Sequence, residues 1–344
     1  MPDRDRGGHF YSGLQHRPIA GCTTPSLSHN AGSSAAASAG IAQTEKSMFQ
    51  FLFDVLIRSV DLALIAVALS AVYSLIKFPN VALVQYAVVG AFVAMSLHAA
   101  GLPLLVAGFA SALFVGLLAV VFNILIFERL LKSDSAIALI GSLALSMILS
   151  AVFLLAYGPT AYRFKLQVSP AMRILGARIT DHQVTTLVLT TVALGLFALI
   201  LFRTSLGREM RATATNGVLA AATGIDTRRV TNIVVFLSGM LAALGGITLA
   251  MRGSVSIDLG TNMMLPVFAA AILGGLGNAL GAVVGAIVIA AAETVITNTN
   301  IGPFIGEDFY FLPASYAPVA SFAILVVFLL FRPRGLFTSE VNRV

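Results

Sequence analysis

Long apolar stretches decide what this chain can fold into. They lie near residues 55–76, 81–97, 102–127, 136–157, 184–202, 230–250, 263–296 and 316–331. A helix needs about 20 apolar residues to cross the hydrocarbon core of a bilayer, and most of these stretches meet that length. None alternates apolar with polar residues as a barrel strand must, and backbone groups in lipid have to bond internally, so the spans are helices. Composition agrees, with 58% hydrophobic and only 10% charged residues, against about 25% charged in a soluble domain. The expected fold is all-α: a polytopic transmembrane helical bundle of about eight or nine spans.

The stretch 263–296 is too long for one span, and Gly274-Gly275-Leu276-Gly277-Asn278 interrupts it. A broken helix is expected there, either a helix pair or a re-entrant hairpin. Residues 1–47 hold Gly, Ser, Ala, Pro, His and Arg without an apolar period, which predicts a disordered extension. It has no apolar h-region and is no signal peptide; the alternative is that translation begins at Met48. The membrane domain then covers 48–337 and a cytoplasmic tail 338–344.

The formal charge of +6 raises the question of a nucleic-acid partner. The basic residues are scattered over short loops, where they orient the chain in the membrane, so none is expected. Arg203, Arg208, Arg211, Arg228 and Arg229 place the 203–229 loop on the cytoplasmic side, together with Arg332, Arg334 and Arg343 at the C-terminus. The 297–315 segment, with Glu307 and Asp308 and no Lys or Arg, suits the outside. Threading backwards puts Lys77, Arg129 and Lys132 inside, although the 158–183 loop, assigned outside, carries Arg163, Lys165, Arg173 and Arg178. The single cysteine, Cys22, allows neither an internal disulfide nor a Cys-based metal site, and no metal or cofactor is expected.

Residues 207–226 are the most informative segment. A short helix rich in small residues is expected from Glu209 to Thr223, stopped by Gly224, with Asp226 or Thr227 capping the next helix. Ala212, Ala220 and Ala221 give it a narrow surface that fits the groove of another protein. Arg208 and Arg211 sit at its N-terminus, where the helix dipole disfavours cations, so an acidic partner is expected. The alternative is an ordinary basic loop that is helical.

In the broken stretch, Gly277, Gly281 and Gly285 recur every four residues, the spacing at which helix backbones approach closely. The sharper alternative is that the same segment is a break lining a solute path. Glu293 lies deep in the following span, and an intramembrane carboxylate points to a polar interior or to a partner on a neighbouring helix. Arg58 and Asp61, three residues apart, are expected to pair with each other.

Three motifs resemble a family. In binding-protein-dependent ATP-binding-cassette importers the permease presents a cytoplasmic helix of pattern G-R-x-x-R-A-x-x-x-[ND]-x-x-x-A-x-x-x-G-I-[ND]. This chain matches it at Gly207, Arg208, Arg211, Ala212, Asn216, Ala220, Gly224, Ile225 and Asp226. The run 270–282, Ala-Ala-Ile-Leu-Gly-Gly-Leu-Gly-Asn-Ala-Leu-Gly-Ala, is similar to A-A-x-L-G-G-x-G-S-x-x-G-A, and 332–337 is similar to P-x-G-[IL]-[LF]. The chain thus resembles permeases of branched-chain amino-acid importers of the LivH type, over about 52–337.

The resemblance implies a multi-pass protein of the cell inner membrane that moves an amino acid or similar small polar solute. It implies cytoplasmic ATP-binding subunits, a second permease chain and an extracytoplasmic solute-binding protein, with lipid around the bundle. It makes the 207–226 segment the ATPase-coupling helix, and Asn80, Gln85, Gly274, Gly275, Gly277, Asn278 and Glu293 the candidate solute path. One stretch departs: where the family shows a motif like N-F-x-H-G-[ED], this chain has Asn80-Val81-Ala82-Leu83-Val84-Gln85, which opens the door to another amide or carboxylate solute.

No catalytic residue is expected. The four lysines are Lys46, Lys77, Lys132 and Lys165, and none follows glycine, which excludes a phosphate loop of the form G-x-x-x-x-G-K-[ST]. ATP hydrolysis is therefore expected on another subunit. Neither H-E-x-x-H nor G-x-S-x-G occurs, so an intramembrane hydrolase is disfavoured. The alternative is an ion-coupled secondary transporter or channel, with Glu293 relaying ions.

Overall fold

The structure, a computed structural model, describes residues 31–164, 172–174, 177–298, 316–332 and 335–337, with side chains from Met48 onward except in 172–179. Lys46–Val344 forms one compact unit, and the architecture below is that of this unit.

The helices follow the apolar stretches. They are α1 (Ala31–Ile76), α2 (Ala82–Ala99), α3 (Leu104–Phe122), which runs through a π-helical turn at Asn123–Phe127 into α4 (Glu128–Leu130), and α5 (Ser135–Tyr157). Then come α6 (Asp181–Arg203), α7 (Ser205–Thr215), α8 (Gly217–Ala222), α9 (Thr227–Arg252), α10 (Asp258–Gly274), α11 (Ala279–Asn298) and α12 (Ala317–Phe331). Among the described residues seven helical segments are long and apolar enough to cross a membrane, and α10 and α12 are shorter apolar helices. The bundle is helical as expected, with one exception. Met172–Ile174 and Ala177–Ile179 pair antiparallel, Arg173 opposite Arg178, which adds a two-stranded hairpin to the 158–183 loop.

Helical backbone also starts at Ala31, so residues 31–47 are helical where their composition suggested disorder. Alanine is the best helix former, and extending a formed helix costs far less than nucleating one. The remainder of the extension, 1–30, lies outside the described residues.

Burial sorts the helices into two layers. In the most apolar window, 78% of residues are buried in the 48–76 part of α1 and 72% in α9, against 22% in α5 and 17% in α6. The first two form the interior with α2, and α5 and α6 show apolar side chains such as Met147, Leu155 and Val192 outward. Small residues set the inner contacts. A Cβ on Gly90 would lie 2.6 Å from Ala243, and one on Gly246 1.9 Å from the Ala87 carbonyl oxygen. Lipid is as apolar as these side chains, so helices gain by such close approach rather than by leaving water.

The long stretch 263–296 is a helix pair. α10 ends at Gly274 and α11 begins at Ala279; Gly275 and Gly277 turn the chain between them at φ 101° and 93°, a region open to glycine at no steric cost. Gly281 and Gly285 form the seam: their added Cβ atoms would lie 2.1 Å and 2.0 Å from the carbonyl oxygens of Gly274 and Ala270. Gly277 belongs to the turn and not to that seam, which corrects the expected four-residue repeat. The Asn278 side chain caps α11 by accepting from the N–H groups of Leu280 and Gly281, each at 3.1 Å.

Contacts also sort the loops by end. The Gly277 N–H donates to Ser70 Oγ at 3.1 Å, Leu336 N–H to Leu273 O at 2.9 Å, and Arg228 pairs with Glu128 at 2.7 Å. The end of α1 with Lys77, the α4 region, the 204–229 loop, the glycine turn and 335–337 therefore share one end of the bundle. Arg58, Arg252, Glu293 and the bridge between Tyr162 and Val255 lie toward the other. Lys77, Arg129 and Lys132 thus keep company with the basic 203–229 loop, as the charge count predicts. Glu307, Asp308, Lys165, Arg334 and Arg343 lie outside the described residues.

Candidate functional site

The 207–226 segment folds as two helices rather than the single one expected. α7 ends at Thr215, and Asn216 turns to an extended conformation whose side chain accepts from Leu219 N–H at 3.0 Å, capping α8. An asparagine cap of this kind competes with helix continuation. Gly224 ends the unit at φ 92°, and Asp226 caps α9 by accepting from Arg229 N–H at 3.0 Å.

α7 folds back tightly on the end of α6. A Cβ on Gly207 would lie 1.9 Å from the Leu201 carbonyl oxygen, so this position accepts no side chain. Arg211 donates from Nη1 to that same carbonyl at 2.6 Å. Its cation therefore rests on the C-terminus of α6, the pole that favours positive charge, and needs no acidic partner; this corrects the expected reason for the charge. Met210, Thr213 and Ala220 are buried, and Ile225 is half-buried against the core. Ala220 therefore packs inward, contrary to its expected place on the docking face. Arg208, Ala212, Ala221 and Asp226 are exposed. The apolar display falls on Val218 and Leu219, 84% and 62% exposed. Sequence reasoning missed this pair because it weighed small residues and not the apolar dipeptide right after the Asn216 cap.

The structure divides the candidate solute path among three places. Gly275, Gly277 and Asn278 line a cavity of about 590 Å³ with Ser74, Lys77, Met210 and Arg211, so the glycine turn stands beside the coupling segment. Gly274 is the seam residue described above, and its carbonyl accepts from Phe337 N–H at 3.4 Å. The C-terminal motif thus closes against the end of α10.

Asn80 and Gln85 stand at the start of α2, which begins inside the protein. Asn80 Oδ1 accepts from Ala82 N–H at 3.1 Å, and Ser142 Oγ accepts from Val81 N–H at 3.2 Å. Both bonds satisfy first-turn donors that a buried helix end would otherwise strand. Gln85 is 5% exposed, and its Nε2 has no hydrogen-bond partner. Beside it opens a cavity of about 320 Å³ lined by Val84, Ser146, Met147, Ser150, Thr261 and Met264. Gly260 makes room, since a Cβ there would lie 2.3 Å from Gln85 Oε1.

Glu293 lies in a third place. It is 2% exposed; Arg58 contacts its Oε2 through Nε and Nη2, each at 2.8 Å, and the Ser321 hydroxyl donates to Oε1. Asp61 pairs instead with Arg252 Nη1 at 2.5 Å. The expected Arg58–Asp61 pair is therefore replaced by two ion pairs that tie α1 to α11 and α9. A local pair on one helix face is worth only tenths of a kcal/mol, whereas a buried carboxylate requires a close cation. Arg252 carried no motif that could have singled it out. Among the described residues no group of His, Cys, Asp and Glu could hold a metal ion.

A bundle with seven helices of membrane-spanning length among its described residues and a basic helical elbow half-docked at one end is that of a multi-pass membrane protein. The match to known proteins makes this particular. A family model described as branched-chain amino acid transport system / permease component matches residues 51–330, and the chain belongs to this family. It is 26% identical over 300 residues to the high-affinity branched-chain amino acid transport system permease protein LivH of Escherichia coli K12, covering 82% of this chain and 93% of that one. It is 30% identical over 294 residues to the probable LivH permease of Methanocaldococcus jannaschii, covering 80% and 88%. BraD of Pseudomonas aeruginosa is 26% identical over 299 residues, covering 82% and 93%. The chain is thus the permease, a multi-pass transport component of an ATP-binding-cassette importer, and hydrolysis of ATP belongs to a separate subunit.

Proposed function

We propose that this permease sits in the cell inner membrane and imports a branched-chain amino acid. Cytoplasmic ATP-binding subunits dock on α7 and α8, a second permease chain completes the translocation path, and an extracytoplasmic binding protein delivers the solute. The observation that carries this reading is the 205–226 elbow. It anchors Met210, Thr213 and Ala220 in the bundle while holding Val218 and Leu219 out, as a docking knob requires.

The solute is supported by the cavity at Gln85. The unpartnered Nε2 of Gln85 and the hydroxyls of Ser146, Ser150 and Thr261 suit the polar groups of an amino acid, and Val84 and Met264 suit an aliphatic side chain. The departure from the family motif puts Leu83 and Val84 in place of the His-Gly pair and the Gln85 amide in place of the acid, and an amide still hydrogen-bonds both a carboxylate and an ammonium group.

The test is to introduce Leu219→Asp and Val218→Asp, which leave the buried face of the elbow intact. Permease at normal membrane levels should lose co-purifying ATP-binding subunit and at least tenfold of leucine, isoleucine and valine uptake. Full retention of both sinks the coupling assignment, and uptake by the permease without any ATP-binding subunit favours an ion-coupled carrier.

A further inference from the structure

The two buried ion pairs have a face that stability alone does not require. Glu293 and Asp61 are each 2% exposed, but their partners Arg58 and Arg252 keep 26% and 25% of their side chains accessible. Both arginines open on one cavity of about 340 Å³, whose remaining polar lining includes Ser254, Ser256 and Asn262. It lies at the end of the bundle opposite the coupling elbow, where α9 finishes and α10 begins. The contacts to the carboxylates use Nε and Nη2 of Arg58 and Nη1 of Arg252. A guanidinium carries five N–H donors in a rigid fork, so each retains donors while its plane is held from behind.

We propose that this cavity is a carboxylate-binding station, and that the α-carboxylate of the incoming amino acid docks between Arg58 and Arg252 on its way from the outer face to the Gln85 cavity. This rests on the amino-acid reading above and gives it an entry point. Paired guanidiniums recognise a planar carboxylate through parallel charge-assisted hydrogen bonds. Ser256 and Asn262 supply acceptors for the neighbouring ammonium. Glu293 and Asp61 then serve as positioning residues: they fix the forks and lower the net charge of the site, so that the solute is held weakly enough to move on. An acidic side chain of a docked binding protein offers the same chemistry, but the recessed, quarter-exposed arginines favour a small free solute.

The complete importer in proteoliposomes, supplied with L-leucine, tests this. Asp61→Asn with Arg252→Gln, and Arg58→Gln with Glu293→Gln, each delete a cation without stranding its anion. Uptake should fall at least tenfold, while ATPase activity stimulated by loaded binding protein stays within twofold and the affinity for that protein is unchanged. Ser256→Ala with Asn262→Ala keeps both ion pairs, so it tests the site even where the other variants fold poorly; it should lower uptake three- to fivefold with ATPase unchanged. Uptake that tracks ATPase in all three double variants, or a loss explained by weaker docking of the binding protein, overturns the station while leaving the permease reading in place. A wild-type complex that imports no amino acid overturns the station and the amino-acid reading together.

Discussion

Replacing Gly281 by alanine is the sharpest probe of the α10–α11 pair. The added Cβ would stand 2.1 Å from the Gly274 carbonyl oxygen, where ordinary contact begins at 3.4 Å, so the two backbones have to part by about 1.3 Å. The obstacle is backbone on both sides, and no side chain can swing away. Overpacking costs about 1–3 kcal/mol, and a clash with backbone that cannot swing aside belongs in the upper part of that range, about 2–3 kcal/mol. Alanine recovers about 1 kcal/mol as the better helix former, and in lipid the extra methyl gains nothing by leaving water. A net loss of about 1–2 kcal/mol is expected, read as a shift of the unfolding midpoint when purified permease is titrated with SDS in mixed micelles. Leu280→Ala, next to it but 56% exposed, should stay within about 0.5 kcal/mol. Gly277→Ala meets nothing closer than 3.7 Å but sits at φ 93°, and its loss of about 1–2 kcal/mol should come from backbone strain alone. If Gly281→Ala matches wild type while inserting normally, the seam is not close-packed and the account of the broken helix is wrong.

Glu293→Gln leaves Arg58 without its anion. The cost should be about 2–3 kcal/mol, less than the usual 3–5 for breaking a buried pair because Arg58 is 26% exposed; adding Arg58→Gln should restore more than half in the same titration, and no recovery refutes the pairing. Ala220→Trp should reduce the amount of inserted protein, since Ala220 is 4% exposed. Ala212→Trp, on the exposed face, should insert normally yet weaken ATP-binding-subunit association; the reverse order of effects would contradict the orientation of the elbow. A chain starting at Met48 should transport within twofold of full length, and a large loss of inserted protein would show that the extension is needed.

Much of the bundle was legible because lipid leaves the backbone few options. A long apolar run has to be a helix there, and a Gly-Gly-x-Gly interruption has to be a break. The elbow was legible as a site but not in its form. Its glycines, arginines and alanines follow a pattern, yet the pattern does not say which alanine packs inward. That is decided by α7 folding onto α6 through Gly207, a contact between segments whose mutual angle no local spacing encodes. Arg211 misled for the same reason: α7 starts at Ser205, which leaves Arg211 beyond its first turn, and the C-terminal end of α6 lies within reach of its guanidinium.

The ion pairs were the least legible part, and the cause is geometric. Arg58 and Asp61 share a helix face, so local reasoning joins them. Each instead has a partner far along the chain, Glu293 and Arg252; Glu293 signalled the need for a partner without saying which, and Arg252 gave no signal. Helix–helix approach in this protein is set by small residues such as Gly245, where an added Cβ would lie 2.6 Å from Ile65. That contact lies about two turns inward from Arg252 on α9 and about one turn inward from Asp61 on α1, and holds α1 close enough to α9 for the pair to form. The glycine thus decides which charges meet, although it carries none. A larger residue at Gly245 should therefore weaken the Asp61–Arg252 pair from about 6 Å away along α1 and about 10 Å away along α9.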